Sequence, residues 1–188
     1  MIRRLVMLCC VVSTLGAQEP VPPQPTPPVD SGRAESLPPP APPSPEQKRF
    51  LDGLRTVYRG IAQFKDGMNR VTRAEATHNA VLQRRAGRFL AGLCGSGRVF
   101  LRRGRPQLTI TVYEDTIRVK ARRLVTQIDS LIAYAPTCEQ TAAATPSPTA
   151  VELGKRIKTY DAALRDFRLA VGLPVKEDST KTAKRQSG

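Results

Sequence analysis

Residues 44–71 read SPEQKRFLDGLRTVYRGIAQFKDGMNRV. Ser44 is typical of a helix N-cap, Pro45 suits the first helical position, and Gln47 completes a capping box. The apolar residues that follow recur at alternating steps of four and three: Phe50, Leu54, Val57, Ile61, Phe64, Met68 and Val71. Because this is the period of a coiled coil, the stretch predicts a helix whose apolar seam packs against other helices.

The end of this first helix has two interpretations. Asp66-Gly67-Met68-Asn69 has the composition of a helix end, and Thr72 to Glu75 forms a second capping box that would start helix 2. The alternative is one bent helix, because the apolar seam crosses the proposed turn without losing phase. We favour the break, with helix 2 running to about Leu93. Its predicted buried residues are Val81, Leu82, Ala86, Phe89 and Leu90.

Three glycines of helix 1 share one heptad position beside the seam, Gly53, Gly60 and Gly67. An interior glycine destabilises a helix by about 1 kcal/mol relative to alanine. Their alignment predicts that another helix or a ligand lies unusually close to this face, with coincidence as the competing explanation.

A third helix is expected from about Gln107, after a basic link from Gly95 to Pro106. Its first turns are ambiguous, because residues 108–113 alternate between apolar and polar as a half-buried strand would. Further along, the stripe is helical and Pro136 is expected to end it. The stripe consists of Ile117, Ala121, Leu124, Ile128, Leu131 and Ala135.

A fourth helix is predicted after a flexible loop from Glu139 to Pro148. Thr149 with Glu152 resembles a third capping box, and Gly172-Leu173-Pro174 is typical of a helix C-terminus. The seam is again spaced by four and three: Leu153, Ile157, Tyr160, Leu164, Phe167 and Val171. The predicted fold is therefore an all-α bundle over residues 46–172, with four helices, or three if the first two are continuous.

The regions outside the bundle have other roles. Residues 1–17 combine a basic start, a short apolar run and small residues, as a secretory signal peptide does, with an uncleaved anchor as the alternative. Twelve of the 17 prolines lie between Pro20 and Pro45, so residues 18–45 are expected to be a disordered, proline-rich stalk. Residues 173–188 are predicted to be a disordered basic tail. The mature chain would carry no transmembrane segment and be extracytoplasmic, either periplasmic or secreted.

Two cysteines remain after signal removal, Cys94 and Cys138, and in an exported protein two cysteines are more often a disulfide than free thiols. If helix 2 ended near Leu93 and helix 3 ran antiparallel to it, the two residues would lie about 42 Å apart. The link from Gly95 to Pro106 is long enough to cross the bundle. A disulfide therefore predicts that helices 2 and 3 are parallel and joined by a crossover.

Few residues of the sequence are candidates for catalysis or for binding a phosphate or a metal. His78 is the single imidazole and falls on or beside the seam of helix 2, where a packing or hydrogen-bonding role is expected. Acidic residues form no paired-carboxylate pattern, and Gly95-Ser96-Gly97 lacks the sequence context of a phosphate-binding loop. The sequence predicts no enzyme, no cofactor and no metal site. A hydrolytic enzyme is the less favoured alternative, and it would need His78, Glu114 or Asp115 to converge in a pocket.

Positive charge is the one feature of the sequence that indicates a binding function. The chain has a formal net charge of +14, and the stretch from Arg84 to Arg123 contains eleven basic and two acidic residues. The main hypothesis is a non-catalytic envelope protein with a binding or structural role. The alternative is a binder of an anionic envelope polymer, a lipid surface or an acidic protein, and no nucleic acid is expected because of the export signal. The candidate anion-binding residues are Arg88, Arg102, Arg103, Arg105, Arg122 and Arg123.

Overall fold

The structure, a computed structural model, describes residues 42–175. The predicted signal peptide, the predicted stalk up to residue 41 and the predicted tail from residue 176 lie outside the described residues. Within 42–175 there are four α-helices and no strand, which confirms the predicted all-α class. The helices are α1 (Pro45–Ala76), α2 (Ala80–Gly104), α3 (Asp115–Thr141) and α4 (Pro146–Ala170), with two short 3₁₀ turns at Arg105–Gln107 and Ile110–Val112.

The four helices form an up-down-up-down bundle. Gly53 contacts Gly104, whereas Gly67 contacts Leu90, so α1 and α2 are antiparallel. Phe50 of α1 contacts Phe167 of α4, whereas Met68 lies beside Gly154, so α1 and α4 are antiparallel. Helices α3 and α4 are antiparallel too, because Arg123 bonds Asp166 while Tyr134 donates to the Thr149 carbonyl. Helices α2 and α4 consequently lie diagonally across the bundle from each other.

Helix α1 begins as predicted. The Ser44 hydroxyl accepts a hydrogen bond from the Gln47 amide (3.2 Å), and the Ser44 amide donates to Gln47 Oε1 (2.9 Å). Six of the seven predicted seam residues are buried, and Met68 is half-buried. The helix does break before α2, but the predicted position of the break is wrong. Helix α1 continues through residues 66–69 to Ala76, and the N-cap of α2 is Asn79, whose Oδ1 accepts from the amides of Val81 and Leu82.

Helix α1 passes through its predicted stop because Gly67 packs inside the bundle. A Cβ at Gly67 would lie 2.7 Å from Leu90 Cδ1 of α2, and a Cβ at Gly60 would lie 2.6 Å from the Gly97 carbonyl oxygen. The heptad-spaced glycines therefore let α2 approach α1 closely, which confirms the predicted close neighbour. Here tertiary packing offsets the low helix propensity of glycine.

The predicted link from Gly95 to Pro106 is wrong, because α2 continues to Gly104. Its buried face is made largely of small residues: Ala86, Gly87, Leu90, Cys94, Gly97, Leu101 and Gly104. Val81, Leu82 and Phe89, which were expected on this seam, are 63%, 41% and 45% exposed. The helix is rotated so that its glycines face α1 and these larger side chains face solvent.

Helix α3 begins at Asp115, later than predicted, and residues 108–113 form neither an α-helix nor a strand but contain the 3₁₀ turn at Ile110–Val112. This segment is held instead by aromatic packing, with the rings of Phe50, Tyr113 and Phe167 in mutual contact at centroid distances of 5.1 to 5.4 Å. Burial in this cluster raises the pKa of Tyr113 to about 12. The Tyr113 carbonyl also accepts a hydrogen bond from Arg118 Nε (2.7 Å).

Two predicted boundaries of the later helices are wrong. Pro136 lies inside α3, which continues to Thr141, and the connection to α4 is short because α4 begins at Pro146. Thr149 is therefore a buried residue of the first turns of α4, where its hydroxyl donates to the Thr145 carbonyl (2.7 Å). The C-terminal signal is confirmed, since Gly172 has φ of 70° and the Leu173 amide donates to the Arg168 carbonyl at 2.8 Å.

Cys94 and Cys138 lie at disulfide distance, as predicted, with Cα atoms 6.0 Å apart. The predicted parallel arrangement with a crossover is wrong. Helix α2 runs ten residues beyond Cys94 and α3 includes Cys138, so the two residues come level in an antiparallel pair. Arg105 of the turn after α2 bonds Asp129 of α3, and Arg98 bonds Glu139, in the same antiparallel register.

Candidate anion-binding surface on helix α2

Helix α2 has an unusual charge distribution. Its 25 residues include six arginines and no aspartate or glutamate: Arg84, Arg85, Arg88, Arg98, Arg102 and Arg103. Its small residues are turned towards the bundle interior, so its arginines lie away from the core. Five of the six are exposed, and Arg98 is partly covered by its ion pair with Glu139 (2.8 Å). We call the exposed arginines 84, 85, 88, 102 and 103 the α2 arginine face.

Two of the six predicted anion-binding residues are engaged by carboxylates of the protein. Arg105 forms a two-pronged pair with Asp129, with Nε–Oδ1 and Nη2–Oδ2 distances of 2.5 and 2.9 Å. This hydrogen bonding raises the pKa of Arg105. Arg123 bonds Asp166 of α4 at 3.3 Å, on the side of α3 away from α2. Their charges are partly neutralised inside the molecule.

The other four predicted residues, Arg88, Arg102, Arg103 and Arg122, are exposed and form no ion pair within residues 42–175. Arg122 and Arg105 line one cleft, together with Asp129. Arg88 precedes Arg102 by fourteen residues, which is about 21 Å along a helix. The structure therefore does not gather the six residues at one point. Three of the four unpaired residues lie along α2 as an extended basic surface, and the fourth, Arg122, lies on α3.

The α2 arginine face is suited to many weak contacts and not to one enclosed ligand. Arginine guanidinium groups present several fixed donors that match phosphate and carboxylate oxygens. Exposed charges of one sign along a helix create a local positive potential, which attracts polyanions from solution and weakens as salt screens it.

A second feature of this surface was missed by the sequence reasoning. Phe89, one of the exposed apolar residues of α2, lies beneath two guanidinium groups, with Arg70 and Arg85 at 5.3 and 5.8 Å from its ring centroid. These three residues and Arg73 line a shallow cleft of about 390 Å³ between α1 and α2. The missed signal is the spacing of three and four from Gly87 to Gly104, which places the glycines, Cys94 and two leucines on the buried face of α2 and leaves Phe89 exposed.

The groups considered for hydrolysis do not converge. His78 is exposed in the turn between α1 and α2, with φ of 53°, and does not lie on a helix seam as predicted. Glu114 and Asp115 are exposed at the start of α3, at the opposite end of the bundle. Among the described residues, no group of three or more His, Cys, Asp or Glu side chains is placed to hold a metal ion.

None of the four helices between residues 42 and 175 combines the length and apolar character needed to cross a bilayer. Comparison with protein-family models, with curated proteins and with solved structures gave no significant match.

Proposed function

We propose that this protein is an exported, non-catalytic helical module of the cell envelope that holds an anionic partner on the α2 arginine face. The observation that carries the proposal is the composition of α2, with six arginines and no carboxylate in 25 residues, five of the arginines being exposed. A helix that only needed solubility could mix charges of both signs. The single-sign surface instead favours attraction of a polyanion.

A non-catalytic role is supported by the positions of the polar groups. His78 lies at one end of the bundle, and Glu114 and Asp115 lie at the other. These groups are therefore too far apart to act on one substrate atom. The α2 arginine face is open to solvent, whereas catalysis by acid, base or nucleophile needs groups within hydrogen-bond reach of one substrate atom.

Export is supported by residues 1–17 and by the cysteine pair. Disulfides persist in oxidising compartments such as the periplasm and the extracellular space, and Cys94 and Cys138 lie at disulfide distance. We expect mass spectrometry of the envelope fraction to find a mature N-terminus near Gln18. An intact Met1 in a cytoplasmic pool would contradict export.

The binding proposal predicts that reversing charge on α2 weakens binding to a polyanion. We expect Arg88→Glu/Arg103→Glu to lower the affinity for inorganic polyphosphate about tenfold or more at low salt, because each basic residue near an anionic surface contributes about 1 kcal/mol. Titration at two salt concentrations is the measurement. Affinity of the parent protein should fall steeply as salt rises.

The matched control is Lys158→Glu/Arg165→Glu, which makes the same change in net charge on the outer face of α4. Both of its side chains are exposed, and α4 lies diagonally across the bundle from α2. We expect this variant to lose much less affinity. Equal losses in the two variants would show that net charge alone drives binding and would remove the role of α2.

A further inference from the structure

Three large apolar side chains are exposed within the first ten residues of α2. Val81, Leu82 and Phe89 are 63%, 41% and 45% exposed, and we call them the α2 apolar patch. Leu82 and Phe89 are seven residues apart and therefore lie on one face of the helix, with Arg85 between them. Clustered apolar side chains on a soluble protein mark an interaction site more often than isolated ones do.

Arginines surround this patch. Arg70, Arg73 and Arg85 line the cleft in which Leu82 and Phe89 lie, and none of the side chains that line it is a carboxylate. Arg70 Nε bonds Asp66 Oδ2 (2.9 Å) and Arg73 Nε donates to the Asn69 carbonyl (3.2 Å). These contacts orient the two guanidinium groups through Nε. Arg70 is thereby paired with Asp66, whereas Arg73 forms no ion pair within the described part of the chain.

The apolar patch distinguishes between anionic partners. A soluble polyanion would engage the arginines and leave Val81, Leu82 and Phe89 in water. The boundary between head groups and acyl chains of an anionic bilayer offers phosphates for arginines and an apolar layer for the adjacent side chains. Arg84 and Arg88 of α2 are also exposed beside the patch. Together with Arg70 and Arg73 of α1, they would present basic residues of both helices to a bilayer.

We propose that the end of the bundle formed by the last turns of α1 and the first turns of α2 docks on an anionic lipid bilayer. Lipid phosphates bind Arg70, Arg73 and Arg85, and the α2 apolar patch inserts at the level of the acyl chains. This inference rests on the proposed function: it names the partner as a lipid surface and uses the first half of the α2 arginine face, Arg84, Arg85 and Arg88. The bundle lies on the membrane through this one end and does not span it.

The test uses the full mature chain with Phe89→Trp, which introduces the single tryptophan of the protein. Vesicles of phosphatidylglycerol mixed with phosphatidylcholine should shift the emission of this tryptophan to shorter wavelength, and brominated acyl chains should quench it. Vesicles of phosphatidylcholine alone should do neither. The matched control is Leu169→Trp, since Leu169 is 62% exposed near the C-terminus of α4 and is also flanked by arginines, Arg165 and Arg168.

A second variant separates insertion from charge attraction. Val81→Ser/Leu82→Ser removes two exposed side chains of the patch and keeps Phe89 beneath Arg85, and we expect it to weaken binding to the anionic vesicles about tenfold or more, from the loss of buried apolar area. Its affinity for soluble polyphosphate should be unchanged, and circular dichroism should show that the helices are retained.

The possible results separate the two proposals. Binding to polyphosphate without tryptophan shift or quenching in anionic vesicles would overturn the lipid inference and leave the proposed function standing. Absence of binding to both probes would overturn both. Equal quenching at positions 89 and 169 would also overturn the inference, because the docking end would not be the one named.

Discussion

Replacing both Cys94 and Cys138 with alanine is expected to lower the free energy of unfolding by about 4 kcal/mol, the value of the chain-entropy model for a closed loop of this length. The two residues are 44 positions apart in sequence and join the middle of α2 to the last turns of α3. A small domain is typically stable by about 5–15 kcal/mol, so the loss would be a large fraction of the total. Denaturant unfolding of parent and variant measures it.

The single variants Cys94→Ala and Cys138→Ala serve as controls for packing. Both cysteines are fully buried, so alanine also removes contacts in the core. If the covalent link is the main contribution, each single variant should lose nearly as much stability as the double variant. Losses that simply add would assign the effect to packing. Quantitative labelling of both thiols in freshly isolated protein would contradict the disulfide itself.

The second large effect is expected at the glycines between α1 and α2. Gly60→Ala should destabilise the protein by about 2 kcal/mol, because overpacking a close helix contact outweighs the gain in helix propensity. The added Cβ would lie 2.6 Å from the Gly97 carbonyl oxygen and would also meet the Leu101 side chain. The carbonyl belongs to the backbone of α2, so relief requires the two helices to separate.

Gly92→Ala is the matched control for this prediction. Gly92 lies on the exposed side of α2, and apart from its chain neighbours and the backbone of its own helix no atom lies within 4 Å of the position that its Cβ would occupy. The same substitution there should stabilise the protein by about 0.5–1 kcal/mol through helix propensity alone. Opposite signs at positions 60 and 92 are the expected result in thermal or denaturant unfolding. A stabilised Gly60→Ala variant would contradict the close approach of α1 and α2.

The sequence predicted the bundle well wherever large side chains set the seam. Phe50, Val57, Ile61 and Phe64 recur at coiled-coil spacing and are buried as expected, and the capping box at Ser44 forms. The sequence is enough to predict α1 there, because its capping residues and its apolar spacing indicate the same helix.

Prediction failed where a local signal was overridden by packing. Gly67 and the Gly95-Ser96-Gly97 run have the composition of helix ends, yet Gly67 and Gly97 lie inside helices, where their lack of a side chain allows α1 and α2 to touch. Pro136 was interpreted as a stop, but α3 passes through it to Thr141. The early end assigned to α2 then required a parallel crossover to bring Cys94 to Cys138.

The sequence shows the positive charge of the candidate site, but not which arginines share one exposed surface. The excess of basic residues from Arg84 to Arg123 indicates a basic segment. It does not show that Arg105 and Arg123 pair with carboxylates of α3 and α4. Nor could it show the exposed Phe89, because the rotation of α2 depends on its glycines meeting α1. When the buried face of a helix is made of small residues, its packing against neighbouring helices decides which of its side chains face solvent.

The central claim, that the α2 arginine face holds the anionic partner, is tested most directly by a map of arginine protection. The parent protein would be treated with an arginine-specific dicarbonyl reagent with and without polyphosphate, and each site would be quantified by peptide mass spectrometry. The account predicts that Arg84, Arg88 and Arg103 are protected by polyphosphate while Arg165 on α4 reacts equally in both samples. Protection of Arg165 with unchanged reactivity along α2 would contradict it.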